Sequence, residues 1–154
     1  MEFVERPAFD LIGIEARTSF REEKNGAGVI GALWARFMGD GIPAAVPNRV
    51  ANETIALYTD YESDEYGEYT LVVGARVASI AEVPEGMVAK HVQAARYAVF
   101  PTDPGDDVAH RVINAWKRVW NEPRTAEYAR AYKADFEVYG TDGAIDIYVG
   151  VEKA

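Results

Sequence analysis

The sequence contains no cysteine, which excludes disulfides, thiolate nucleophiles and cysteine-ligated zinc or iron–sulfur centres. Histidine is nearly as scarce. Only His91 and His110 occur, and neither has a paired ligand by spacing, so no histidine-rich metal site is expected. Basic side chains are in deficit, 16 Lys and Arg against 25 Asp and Glu, for a formal net charge of -9 at pH 7. That field repels a phosphate backbone and no basic stripe reverses it locally, so direct nucleic-acid binding is not expected. No apolar run approaches the ~20 residues that span a bilayer. The first residues, Met1 to Arg6, carry two Glu and one Arg and no apolar core of a leader. The chain therefore reads as cytoplasmic, with no membrane contact. Gly26-Ala27-Gly28 is too short for a dinucleotide loop, and there is no Walker loop and no nucleophile elbow, so no cofactor is expected.

What is present describes one folded unit. With 154 residues, 49% of them apolar, the chain can bury one sizeable core, and residues 1–154 read as a single domain. Phe9 to Arg17 has strand character, with Gly13 at a candidate bulge. After Asn25-Gly26, the residues Ile30, Leu33, Trp34, Phe37 and Met38 repeat at helical spacing, and Gly39 and Gly41 close that helix. Two strands follow, Thr54 to Tyr61 and Tyr69 to Ser79, joined by the acidic stretch Glu62 to Glu68. Ile80 to Gly86 reads as a linker. Ala95 to Thr102 is then a strand, and Val108, Val112, Ala115, Trp116, Val119 and Trp120 form the apolar face of a second helix. Glu127 to Lys133 reads as a short helical turn. Two last strands, Ala134 to Tyr139 and Ala144 to Val151, flank the turn Gly140 to Gly143.

The two halves repeat one another. Trp34 and Arg36 in the first helix match Trp116 and Arg118 in the second, Tyr58 matches Tyr139, and Val73-Gly74 matches Val149-Gly150 at nearly the same offset. The pattern predicts an α+β fold of duplicated β-α-β-β units, the first over about residues 1–80 and the second over about 87–154. Pseudo-twofold symmetry, an antiparallel sheet with both helices on one side, and a ligand cleft between the repeats follow from it.

The last hairpin carries the most chemistry. Alternation puts Asp135, Glu137 and Tyr139 on one face of their strand, and Asp146 and Tyr148 on one face of the next. If the turn is a four-residue loop, Glu137 stands opposite Asp146. Two facing carboxylates are unfavourable unless solvated, protonated or neutralised by a cation. A solvated outer face is one reading of that pair, and a cation site is the other. Trp34 and Trp116 occupy equivalent places in the two halves, where they either pack the core or offer ring faces to a positive guest.

Ala134-Asp135-Phe136-Glu137-Val138-Tyr139 and Ile145-Asp146-Ile147-Tyr148-Val149 resemble the end of GyrI-like effector-binding domains, the ligand-sensing part of multidrug-responsive transcription activators. Ala56 to Tyr61, Tyr69 to Val77 and Arg96 to Phe100 resemble that family as well, in order along the chain. The resemblance implies a cationic, hydrophobic small molecule held in an aromatic cleft, with Glu137 as its acidic contact and Trp34, Trp116 and Tyr148 as its walls. Asp146 is a second acidic candidate. Tyr58 and Tyr97 either join the site or only cover the core. Those activators carry a DNA-binding module ahead of this domain, and here the first strand already begins at Phe9. The expectation is a stand-alone binding domain, with a homodimer or a separate regulatory partner both open. Two alternatives remain beside it. One is a hydrolase of reactive electrophiles using the same glutamate as acid or base. The other is an acidic inhibitor of a nucleic-acid enzyme acting through Asp60 to Glu68.

Overall fold

A computed structural model describes residues 2–26, 28–122 and 128–152. The chain runs β1 (Glu2–Arg6), β2 (Phe9–Ser19), α1 (Phe20–Lys24), α2 (Ile30–Gly39), α3 (Ile42–Ala45), β3 (Thr54–Thr59) and β4 (Glu68–Val77). It continues β5 (Val88–Val92), β6 (Ala95–Pro101), α4 (Val108–Asn121), β7 (Ala129–Tyr139) and β8 (Ile145–Glu152). All eight strands join one antiparallel sheet in the order β1-β6-β8-β7-β3-β4-β2-β5.

That order is the duplication made visible. β6, β8 and β7 mirror β2, β4 and β3 across the central β3–β7 pair. Each half also gains an outer strand from the other. β1 precedes β2 in sequence yet pairs with β6, and β5 precedes β6 yet pairs with β2. The unit is therefore longer by one strand than the β-α-β-β expected. β1 escaped the sequence reading because its five residues offer only Phe3 and Val4 as apolar signal. β5 escaped because it follows the linker directly.

Both long helices lie on one face of the sheet. α2 packs Leu33 and Phe37 over Ile14, Ala56, Leu71 and Val73. α4 packs Ala115, Trp116 and Val119 over Ala98, Phe100, Ile147 and Val149. Burying such a side chain contributes about 1.5–3 kcal/mol, enough to hold each helix on its stripe. The stripes are narrower than the periodicity predicts: Met38, Val108 and Trp120 are exposed to 68%, 47% and 41%.

The opposite face is also apolar, because the sheet curls onto it. Phe9 of β2 and Phe136 of β7 are three strand spacings apart, roughly 14 Å in a flat sheet. Their ring centroids are nevertheless 5.3 Å apart. Gly13 pairs with Gly74 in unbroken register, so no bulge occurs there. The glycines serve a close approach instead: a Cβ on Gly13 would stand 2.2 Å from the Val73 carbonyl oxygen.

The last hairpin differs from expectation in its register and in the segment that leads into it. Tyr139 pairs with Ile145, which places Glu137 opposite Ile147 and Asp146 opposite Val138. Ala144 belongs to the turn, where its carbonyl accepts from Gly140 N at 2.9 Å and its N–H donates to Asp142 at 3.0 Å. The helical turn expected over Glu127 to Lys133 is also absent from 129–133, which is strand; Glu127 lies outside the described residues. The β7–β8 register shifts between Arg130 and Asp135, and Tyr132 within that shift has φ +52°.

Candidate functional site

Glu137 sits in the middle of the sheet, on the helix-covered face, between Ala56 of β3 and Ile147 of β8. It is 1% exposed. Burying a carboxylate is costly unless its oxygens are hydrogen-bonded, and here they are. Oε2 accepts from the Tyr58 hydroxyl at 2.8 Å and from Trp116 Nε1 at 2.7 Å, and Oε1 accepts from the Tyr139 hydroxyl at 2.7 Å. Burial pushes the carboxyl above its ordinary range, while the bonds from Trp116, Tyr139 and Tyr58 pull the other way. Burial and the adjacent Glu137 also raise Tyr58 and Tyr139, so both phenols stay protonated and donating.

A second buried acid lies next to it. Asp135, wholly buried, accepts from Arg130 Nη2 at 2.8 Å, from Gly150 N at 2.8 Å and from the Tyr61 hydroxyl. Burial alone would lower the Arg130 guanidinium, but Asp135 beside it holds it above its ordinary value. The guanidinium also lies over the Trp116 and Tyr132 rings, 5.8 and 4.5 Å from their centroids.

Above this layer, between α1, α2 and α4, opens a cavity of about 420 Å³. Tyr58, Tyr61, Tyr69, Trp116, Trp120 and Phe20 supply its aromatic walls, with Ile30 and Ile113 between them. Glu23, Lys24, Glu65, Lys117 and Arg130 add charge to the lining. α1 is held in place by Glu23, whose carboxylate accepts from Val29 N at 2.8 Å and Ile30 N at 3.3 Å. These are orphan N–H groups at the start of α2, where Val29 has no side chain able to cap. Glu137 does not line the cavity. Tyr58 and Trp116 stand between, each with its ring on the cavity and its donor on the carboxylate.

The structure thus brings together three of the sequence candidates, Glu137, Trp116 and Tyr58. Trp34 is one layer back: its ring meets Tyr139 edge-on at 4.9 Å and does not line the cavity. Tyr148, Tyr97 and Asp146 are on the other face of the sheet. Tyr148 stacks on Phe136 at 4.8 Å with planes 11° apart, and Tyr97 meets Phe136 edge-on at 5.0 Å. Burial and Asp135 push the Tyr97 phenol up to about 12. Burial, with Asp142 and Glu2 nearby, raises the Asp146 carboxyl. Asp135, Tyr139, Tyr61, Tyr69 and Trp120 stand around this layer and cavity and were not among the site candidates. The alternation Asp135-Glu137-Tyr139 was the available signal for two of them.

The acidic hairpin tip is partly used within the fold. Glu65 accepts from the Tyr132 hydroxyl, Asp64 accepts from Tyr66 N at 2.9 Å, and Glu68 lies 3.7 Å from Arg17. Among the described residues no group of three His, Asp or Glu side chains is arranged to hold a metal ion. Nor is any helix among them long and apolar enough to cross a membrane.

A family model described as the integron-associated effector-binding protein, Cass2, matches residues 2–151. The chain belongs to this effector-binding family. The resemblance to GyrI-like effector-binding domains is borne out. An integron cassette protein from Vibrio cholerae, VCH_CASS2, superposes with a TM-score of 0.82 at 28% identity, covering 98% of this chain and 95% of that one. SAV2435, solved bound to tetraphenylphosphonium, superposes with a TM-score of 0.78 at 16% identity, covering 98% and 93%. At that identity the likeness is one of fold. YobU of Bacillus subtilis strain 168, provisionally named a transcriptional regulator, is 28% identical over 148 residues, 92% of this chain and 91% of its own.

Proposed function

We propose that this effector-binding protein holds a cationic, aromatic or amphiphilic small molecule in the cavity between α1, α2 and α4. One observation carries the reading: a buried Glu137 accepts hydrogen bonds from Tyr58 and Trp116, the two side chains that form the cavity wall in front of it. A carboxylate that accepts from an indole N–H and a phenol O–H pushes electron density into both rings. Their cavity-facing sides become more negative, and a cation against them gains about 0.5–2 kcal/mol per ring, more where water is excluded. Glu137 in this reading acts through the rings and does not touch the guest.

SAV2435, similar in fold, was solved with tetraphenylphosphonium, a bulky aromatic cation of the class this cavity suits. Because both Glu137 oxygens already accept bonds, the hydrolytic alternative gains no support from the geometry. The test is titration calorimetry with tetraphenylphosphonium and with neutral tetraphenylmethane analogues made soluble by a glycol chain. Preference for the cation in wild type, reduced in Glu137→Gln, supports the reading. Equal affinity for charged and neutral guests would overturn it.

A further inference from the structure

A second chamber of about 260 Å³ adjoins the first and shares with it Phe20, Glu65, Trp120 and Arg130. Its floor is apolar sheet and helix, Ala98, Phe100, Val119 and Val149. Its rim is different: Tyr66, Tyr128 and Tyr132 stand there with Glu65 and Glu122. Each of these carboxylates is steered by a tyrosine, Glu122 by the Tyr128 hydroxyl at 3.2 Å and Glu65 by that of Tyr132. Neither has a basic partner among the ion pairs of the described residues. Arg130, the cation among the described residues on the chamber wall, is paired with Asp135. Rings beside carboxylates that have no basic partner among the described residues, over an apolar floor, match the chemistry of an organic ammonium.

The edge-on pair Phe20–Trp120, at 5.3 Å, stands between the chambers, with Glu65 and Arg130 on both walls beside it, and both rings are partly exposed, 38% and 41%. A slender chain can pass beside such rings with a rotamer change. We infer that the second chamber receives a second positive group, so the preferred guest is an elongated dication: an aromatic cation against Tyr58 and Trp116, and an aliphatic ammonium beside Glu122. This inference rests on the cation-binding reading of the first chamber and adds to it the shape and charge of the guest.

The test uses a matched pair of probes on the intact protein: an N-alkylquinolinium ion, and the same ion with a trimethylammonium group at the end of its tail. In wild type the dication is expected to bind one per chain and about tenfold more tightly, the gain of one added cation–ring and carboxylate contact. Glu122→Gln should remove most of that gain. The side chain is exposed and outside the first chamber, so the fold and the monocation affinity are the built-in controls. A dication that binds no better than the monocation overturns this inference alone, as does a gain that persists in Glu122→Gln. Binding of neither ion overturns the reading beneath it as well.

Discussion

Trp116 Nε1 lies 2.7 Å from Oε2 of Glu137, so an indole separates the buried carboxylate from the cavity. The acid is screened from water by the group that a guest would touch. Neutralising it should weaken cation binding without much disturbing the fold. In Glu137→Gln the amide oxygen can still accept from Tyr58 and Trp116, and its NH₂ can donate to the Tyr139 hydroxyl oxygen. We expect tetraphenylphosphonium affinity to fall about tenfold, one cation–ring contact's worth. Unfolding in urea should shift by no more than about 1 kcal/mol. Calorimetry on one preparation measures the first, and a urea titration the second.

The raised Glu137 pKa sets a pH dependence for both binding and stability. A carboxyl whose folded pKa lies above its unfolded value, about 4.3 for Glu, binds its proton more readily in the folded chain. Its contribution to stability therefore falls as pH rises from the unfolded value through the folded one, and is constant beyond both. Cation affinity runs the other way and grows with pH across the same window, because only the ionised form feeds charge into the rings. Both trends should be flattened in Glu137→Gln. Affinity and urea midpoints measured at steps between acid and neutral pH check the two signs together.

Arg130 and Asp135 form a buried pair, their side chains exposed to 16% and 0%. Removing one partner strands the other, and Arg130→Met should cost about 3 kcal/mol or more. Converting Asp135 to Asn at the same time should restore much of it, since the amide oxygen still accepts from Gly150 N and the NH₂ can donate to the Tyr61 hydroxyl oxygen. A double-mutant cycle in urea gives the coupling. A simple sum of the two single effects would count against the pairing as drawn.

Gly13 and Gly74 face each other between β2 and β4, and each would drive a Cβ into the other strand, Gly74→Ala at 2.1 Å from the Ile12 carbonyl oxygen. Either alanine should destabilise the protein by about 1–3 kcal/mol through forced separation of the strands. Thermal unfolding of the two variants, against a control at the exposed Gly31, measures it. Nothing stands within 4 Å of a Cβ at Gly31.

The sequence made the helix stripes, the duplicated order and the Glu137 strand legible because each rests on spacing within one segment. The rest depended on relations between segments. Whether Ala144 belongs to the turn decides the β7–β8 register, and a one-residue slip moves every side chain of β8 to the other face. That single step placed Tyr148 and Asp146 beside Glu137 in expectation and on the opposite face in the structure. α1 has five residues, too few for periodicity to register, yet it brings Phe20 to both chambers. Arg130 precedes a slip in strand register, and its pairing with Asp135 has no counterpart in any alternation pattern.

The outer strands of the sheet give the two halves a mutual dependence. Opening the backbone in the Ile80–Gly86 stretch would yield an N-terminal piece still holding the edge that β6 needs, and a C-terminal piece still holding the edge that β2 needs. Neither fragment could cap itself, so the halves are built to fold as reciprocal templates, and a guest resting between their helices inherits a floor that neither half makes alone.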